Sequence, residues 1–162
     1  MIMRSLTLTS AALILQVASV TPAIAAADTC QKIRRIATSA VVDGFSSESA
    51  GAFKDSEDGK YHQCRTILAG ISDPETCVII MDHAPSWNVS WELSKETDAS
   101  SEAKATANEI SACLPSSQVE VSATKRHWRI FWPVANGIAR LRIDASVAHD
   151  PAPQVNLTID KK

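Results

Sequence analysis

The sequence lacks the residue patterns that mark common catalytic and nucleotide-binding sites. Glycine occurs only five times, and there is no glycine-rich phosphate loop, G-x-S-x-G nucleophile elbow or H-E-x-x-H zinc motif. The four cysteines include no C-x2-C pair, which argues against a zinc site and against thiol redox chemistry. A formal net charge of −2 gives no overall attraction to nucleic acid or to anionic membranes. We therefore expect no metal, no cofactor and no nucleic-acid partner.

The first 25 residues have the pattern of a bacterial export signal. Arg4 supplies a positive start, Leu6–Val20 form an apolar stretch, and Ala23–Ala25 give a small-x-small cleavage pattern. The apolar stretch is shorter than the roughly 20 residues that span a membrane. We expect cleavage after Ala25, with Ala27 as the second choice and an uncleaved anchor as the alternative. The mature protein would then be periplasmic or secreted, without stable membrane insertion.

Residues 26–162 are expected to form a single domain. Only one charged residue lies in the signal, so the mature net charge becomes −3. An even number of cysteines behind an export signal predicts two disulfides, because an oxidising compartment lets them persist. Of the three connectivities, we favour Cys64–Cys77, which closes a short loop, and Cys30–Cys113, which would join distant segments.

Helices are predicted where apolar residues recur every three or four positions. One begins near Cys30 and ends at Asp43-Gly44, and another runs from about Asp98 to Leu114 with an N-cap at its start. Residues 46–60 are rich in serine, glycine and charge, which predicts a mobile loop. Residues 61–69 fit a helix or a strand; we favour a strand in a hairpin, although Cys64 and Cys77 would not lie opposite each other about the expected turn.

All four tryptophans lie in two similar pentads, WNVSW (Trp87–Trp91) and WRIFW (Trp128–Trp132). In both, apolar and polar residues alternate with period two, which predicts strands with one wet face. We interpret the tryptophans as core residues; the alternative is an exposed aromatic platform. Apart from these pentads no internal repeat is evident. Further strands are predicted around residues 78–81, 119–121 and 154–160.

The dipeptide Asn136-Gly137 predicts a type I′ hairpin turn. This turn would place every apolar residue of one strand opposite an apolar residue of the next. The predicted pairs are Ala135–Ile138, Trp132–Leu141, Ile130–Ile143, Trp128–Ala145 and, on the polar face, Arg129–Asp144 and Phe131–Arg142. Together these elements predict an α+β fold, in which an antiparallel sheet has one solvated face and helices packed on the other.

The best candidate for catalysis is Asp82-His83, at the end of a predicted strand. A carboxylate beside an imidazole can orient it and favour its charged form, so the pair would suit a small periplasmic hydrolase. The simpler interpretation is a strand end that turns into Pro85. His62 and His149 have no sequence partner and are read as solvated. The acidic residues Asp55, Glu57 and Asp58 lack the spacing of a calcium loop.

The best candidate for binding is a basic strip on the solvated face of the terminal strands. Arginine and aromatic residues are enriched in protein interfaces. The predicted patch contains Arg126, His127, Arg129, Phe131, Arg140 and Arg142. The alternative is a solvated strand face whose arginines only discourage edge pairing. The first hypothesis is therefore a non-catalytic envelope protein that binds another macromolecule, as an inhibitor, immunity-type or assembly factor. The alternatives are the Asp82/His83 hydrolase and a structural component without a specific ligand; the oligomeric state stays open.

Overall fold

Two helices pack on one face of an eight-stranded antiparallel sheet, as the sequence predicts. The structure is a computed structural model that describes residues 22–54, 56, 59–68, 76–94, 98–146 and 152–162, without the side chains of 22–26. Most of the predicted signal peptide lies outside these residues, as do His149, Asp55, Glu57 and Asp58. The elements are α1 (Pro22–Val42), a 3₁₀ turn (Ser46–Glu48), β1 (Ser49–Ala52), β2 (Tyr61–Cys64), β3 (Cys77–Ile80), β4 (Ser86–Glu92), α2 (Ala99–Cys113), β5 (Gln118–Val121), β6 (His127–Val134), β7 (Gly137–Ser146) and β8 (Gln154–Lys161).

The chain is built from two halves of the same topology. Each half is a helix followed by four strands, and the strand order is β1-β2-β3-β4-β8-β7-β6-β5. The last strands of the two halves, β4 and β8, pair at the centre of the sheet. The structure thus contains a repeat of topology, for which the sequence shows no matching internal repeat. The pentads do not mark this repeat, since one lies in β4 and the other in β6.

The core lies between the sheet and the helices. Helix α1 contacts β4, β7 and β8, and α2 contacts β6, β7 and β8. Trp87 and Trp128 are buried, while Trp91 and Trp132 are half-buried and pack against the same core. The core interpretation of the tryptophans is confirmed. Their alternating neighbours face the other side of the sheet, which no described helix covers; we call this side the open face.

The hairpin between β6 and β7 differs from the prediction by two residues. The turn is Ala135-Asn136, and Trp132 pairs with Ala139 instead of Leu141. A shift of two residues keeps each side chain on its predicted face, so hydrophobic alternation alone does not exclude it. Gly137 is the first residue of β7 and lies beneath α1, where an added Cβ would be 3.0 Å from Val41 Cγ1. Glycine therefore fits at this position because it has no side chain, and not because the position requires a positive φ.

Segment 46–60 also differs from the prediction, because it holds a 3₁₀ turn and the edge strand β1. The Glu48 side chain is fully buried, and Arg35 Nε of α1 donates to its Oε1 at 2.6 Å. The backbone N–H of Arg65 donates to the Glu48 carbonyl at 2.7 Å. These contacts fix the start of a segment whose composition predicts only a loop.

Both predicted disulfides are present. Cys30–Cys113 joins α1 to the last residue of α2, and Arg34 Nε donates to the Cys113 carbonyl at 2.6 Å. Cys64–Cys77 joins β2 to β3, with the Cα atoms 5.7 Å apart. The β2–β3 register places these two cysteines opposite each other, so the strand interpretation of Tyr61–Cys64 is confirmed and the objection to the pairing disappears.

We expect the Cys30–Cys113 disulfide to stabilise the protein more than Cys64–Cys77. The two bridges have sequence separations of 83 and 13 residues, and the longer loop restricts the unfolded chain more. Loop entropy gives about 4.5 kcal/mol for the long loop and about 3 kcal/mol for the short one. Urea unfolding of the two double Cys→Ala variants measures both values. A larger loss from the Cys64/Cys77 variant would contradict this ranking.

The start of α2 predicts a pH dependence of stability. Asp98 is the N-cap, and the hydrogen bonds from the Ser101 hydroxyl and the Ser100 N–H lower its pKa from the ordinary 3.8. A lowered pKa in the folded state stabilises the protein above pH 3.8 and is lost as the pH falls through the lowered value. The wild type should therefore be more stable than Asp98→Ala at pH 7, with a difference that shrinks in acid.

The variant Asp98→Ser is the control for this prediction, because it keeps an oxygen acceptor without a titrating charge. Its unfolding free energy, measured in urea from pH 7 to strong acid, should approach that of the wild type as the pH falls. A wild-type advantage over Asp98→Ala that grows in acid would reverse the predicted sign.

Candidate functional site

Five of the six residues predicted to bind a partner lie on the open face. They alternate along β6 and β7 with buried core residues such as Ile130 and Leu141. The five are His127, Arg129, Phe131, Arg140 and Arg142. Phe131, Arg140 and Arg142 are half-buried, while His127 and Arg129 are exposed. The alternation in the sequence was enough to place all five on one face.

Arg126 does not belong with them. It precedes β6, and its neighbour on that strand, His127, is the first of the open-face residues. The Asp98 pKa is lowered first by hydrogen bonds from Ser101 and Ser100, and to a smaller extent by the charge of Arg126. Arg126 therefore acts at the N-terminus of α2, on the helix side of the sheet. Including it in the predicted patch was wrong, because its position differs from Arg129 by an odd number of residues.

Near one end of the open face lies a cluster of two arginines around one carboxylate. Asp160 of β8 pairs directly with Arg140 of β7. Arg140 donates from Nε to Oδ1 at 2.8 Å and from Nη2 to Oδ2 at 2.9 Å, and Arg142 Nη2 donates to Oδ2 at 3.2 Å. The Asp160 side chain is only 9% exposed, against 35% for Arg140 and 41% for Arg142. Its hydrogen bonds and charge raise the pKa of Arg140.

Sequence reasoning missed Asp160 as a member of the site. In the predicted terminal strand, Asp160 is one of several polar residues that alternate with apolar ones. The residues beside it in the sequence do not indicate which side chains of other strands it contacts. Its role follows only from the pairing of β8 with β7, which a pattern in β8 alone does not specify. Arg140 and Arg142 were a usable signal in the sequence. Two like charges on the same face of one strand need either a nearby anion or open solvent.

The two-residue register shift changes the other contacts on the open face. His127 Nδ1 lies 2.6 Å from Asp144 Oδ1, the carboxylate that was assigned to Arg129. Arg129 instead lies between Arg142 of β7 and Glu120 of β5. The predicted contact of Arg142 with Phe131 is replaced by Lys162, whose Nζ is 4.5 Å from the centre of the Phe131 ring.

The open face carries an excess of positive charge around Phe131. Four cationic side chains lie near two acidic ones, Asp160 and Glu120. Asp160 is already bonded to two of the cations, Arg140 and Arg142. We call this set the arginine patch, which consists of Arg129, Phe131, Arg140, Arg142, Asp160 and Lys162, with Glu120 at its edge. The remaining carboxylate nearby, Asp144, is engaged by His127.

Asp82 and His83 do not form an oriented acid–base pair. The imidazole Nε2 is 3.9 Å from Asp82 Oδ1, which exceeds a hydrogen-bond distance, and the His83 side chain is wholly exposed. The Asp82 carboxylate instead accepts from the His83 backbone N–H at 2.7 Å. This geometry matches the simpler interpretation, in which the residues form a turn between β3 and β4.

A hydrogen-bonded Ser–His pair that the sequence did not suggest lies at the other edge of the sheet. His62 Nδ1 is 2.6 Å from Ser49 Oγ, and its Nε2 is 3.0 Å from the Gly59 carbonyl. Ser49 Oγ also accepts from the Gly51 N–H at 3.0 Å. The register of β1 against β2 is irregular at this point. The pair therefore fastens an irregular edge strand, and His62 is not simply solvated.

Within the described residues, no three His, Cys, Asp or Glu side chains are grouped so that they could hold a metal ion. In the same part of the chain, no helix is both long and apolar enough to cross a membrane. No protein-family model, curated protein or solved structure matches this chain. What the protein does must therefore be inferred from the geometry of its own residues.

We expect Asp160 to stabilise the fold more than Asp144 does, although both pair with cations on the open face. Asp160→Ala removes three charge-assisted hydrogen bonds to a nearly buried carboxylate. Because both arginines can partly hydrate, we expect a loss of about 2 kcal/mol. Asp144→Ala breaks a more exposed pair and should cost less than about 1 kcal/mol. Urea unfolding of both variants measures the difference; equal losses would show that the cluster is not a structural anchor.

Proposed function

We propose that the protein is an exported, non-catalytic binding protein whose arginine patch docks an acidic protein partner. The observation that carries the proposal is the Arg140–Asp160–Arg142 cluster, in which a nearly buried carboxylate holds two arginines in place on an open sheet face. Export is supported by the signal-like first 25 residues and by two disulfides, which are typical of proteins in oxidising compartments. The envelope or the extracellular space is the proposed location.

The cluster is suited to binding because its arginines are ordered in advance. Immobilising a flexible side chain on binding costs about 0.5–1.5 kcal/mol. Because Asp160 already holds both arginine side chains in place, much of this cost does not arise when a partner binds. A guanidinium has five N–H donors, of which Asp160 takes two from Arg140 and one from Arg142. The N–H groups of the two guanidinium groups that Asp160 does not take favour a carboxylate-bearing partner, which can accept two parallel hydrogen bonds.

Charge also favours an acidic partner. The patch is positive although the whole chain has a net charge of −2, so its field is local and is opposed by the rest of the surface. Complementary charges mainly raise the association rate and exclude partners of the wrong sign. Phe131, half-buried at the centre of the patch, supplies apolar contact area of the kind found in interface cores.

A non-catalytic role is supported by the arrangement of the candidate catalytic residues. Asp82 is hydrogen-bonded to backbone and leaves the His83 ring without an orienting partner. A general base needs a group that fixes its tautomer and direction, as well as a nearby nucleophile or water site. The ordered polar groups of the open face are arginines, which bind anions well and transfer protons poorly because they stay charged.

The test is the charge reversal Arg129→Glu, with Lys104→Glu as its matched control. Arg129 is exposed and lies outside the Asp160 cluster, so its replacement should leave the fold intact; Lys104 is exposed on α2, on the other side of the sheet. The mature wild-type protein is used to capture partners from an envelope extract. The affinity of the purified partner for each variant is then measured by biolayer interferometry between about 50 and 300 mM NaCl.

We expect Arg129→Glu to weaken binding roughly tenfold at low salt and to flatten its salt dependence, since one attractive charge becomes repulsive. Lys104→Glu should change the affinity less than about twofold. Equal effects of the two variants would exclude the arginine patch as the docking site. Capture that survives protease treatment of the extract would show that the ligand is not a protein and would overturn that part of the proposal.

A further inference from the structure

A second feature with binding chemistry is a cavity of about 390 Å³ at one end of the sheet. It lies between the C-terminal end of α1, the turn that precedes β4, and the residues where β7 begins and β8 ends. This volume falls within the roughly 300–1,000 Å³ of small-molecule sites. The residues that matter for its chemistry are Val41, Pro85, Arg140, Asp160, Lys161 and Lys162.

The charged side chains of the cavity are mainly positive. Arg140, Lys161 and Lys162 line the cavity together with one acidic side chain, Asp160, which is bonded to Arg140 and also to Arg142. Lys161 and Lys162 form no ion pair within the described part of the chain, and both are exposed. Lys162 Nζ lies 4.5 Å from the centre of the Phe131 ring. A positive charge without a paired anion makes the cavity attractive to an anionic ligand.

The opposite wall of the cavity is apolar. It consists of Ala40 and Val41 from the last turns of α1, together with Ala84 and Pro85 from the turn before β4. Burying a hydrocarbon group against this wall contributes about 25 cal/mol for each Å² of apolar surface removed from water. An inorganic anion would leave the wall uncovered, and an uncharged apolar molecule would leave the lysines without a partner.

We infer that this cavity binds a small amphiphilic anion, in which a carboxylate meets Lys161 and Lys162 and a short hydrocarbon group lies against Val41 and Pro85. His83 also lines the cavity and its ring is free of Asp82, so it supplies a further N–H donor for the carboxylate. Arg140 serves chiefly to hold Asp160 and sets the position of the β8 terminus. The cavity shares Arg140, Asp160 and Lys162 with the arginine patch, but Lys161 and the apolar wall lie outside the patch, so variants of Lys161 and of the wall test the cavity separately.

The probe is octanoate, compared with 1-octanol and octylammonium, which have the same chain but no charge or the opposite charge. Binding to the ¹⁵N-labelled mature protein is followed by NMR titration of the backbone amides. We expect octanoate to shift amides near Val41, Ala84 and Lys161 in a saturable manner. The affinity for octanol should be at least about tenfold lower, and octylammonium should not saturate. Equal binding of all three compounds would overturn the inference, because it would leave only nonspecific apolar contact.

Two variants of the cavity separate its charge from its shape. Lys161→Ala should weaken octanoate binding about fivefold by removing one charge-assisted contact, and Lys104→Ala, on α2, should have no effect. Ala84 is exposed, so Ala84→Trp should fill the cavity without disturbing the core and should abolish binding while the amide spectrum of the rest of the protein is retained. Octanoate shifts that persist in Ala84→Trp would place the ligand elsewhere and contradict the inference.

Arg129→Glu should leave octanoate binding unchanged, so failure of either proposal is distinguishable from failure of the other.

Discussion

The pairing of β4 with β8 is the contact on which the rest of the structure depends. Ladder pairs run from Ser86 with Asp160 to Glu92 with Gln154 and join the two halves into one sheet. Without this pairing each half would be a four-stranded meander with an additional unpaired edge. The same pairing places Trp87 beside Ile159, and β8 in turn pairs with β7, which places Asp160 next to Arg140. Helix α1 reinforces the junction, since it packs across β4, β8 and β7.

Local features of the sequence were enough to predict the fold class and most of the elements. Period-two alternation gave the strands and their buried faces, and the cysteines gave both disulfides. The hairpin register was wrong because an even slip leaves the alternation unchanged. In the observed register Gly137 lies close to Val41, a contact between elements that are far apart in the chain and that alternation does not indicate. The buried Glu48 likewise depends on Arg35 of α1, and composition alone indicated a loop.

The same distinction explains the candidate site. Alternation places a residue on a face, so five of the six predicted binding residues lie together. It does not specify which strand lies alongside, so Asp160 was missed and Asp144 was assigned to the wrong cation. The prediction placed Arg126 on the same surface as His127, although alternation sends adjacent residues to opposite sides. Sequence patterns therefore predicted the surface, and only the strand order revealed how its charges are paired.

The Cys30–Cys113 disulfide also determines how the molecule would carry a mechanical load. A pull between residue 28 and residue 162 would pass from Cys30 directly to Cys113, so the covalent path bypasses the residues between them. The first half of the chain, including β1 to β4, would bear tension only through its noncovalent contacts with β8 and the helices. The terminal strand β8 is central in the sheet, held by β4 on one side and β7 on the other. Pulling β8 out of the sheet would require its hydrogen bonds to β4 and to β7 to break together. The fold therefore resists a force applied in this direction.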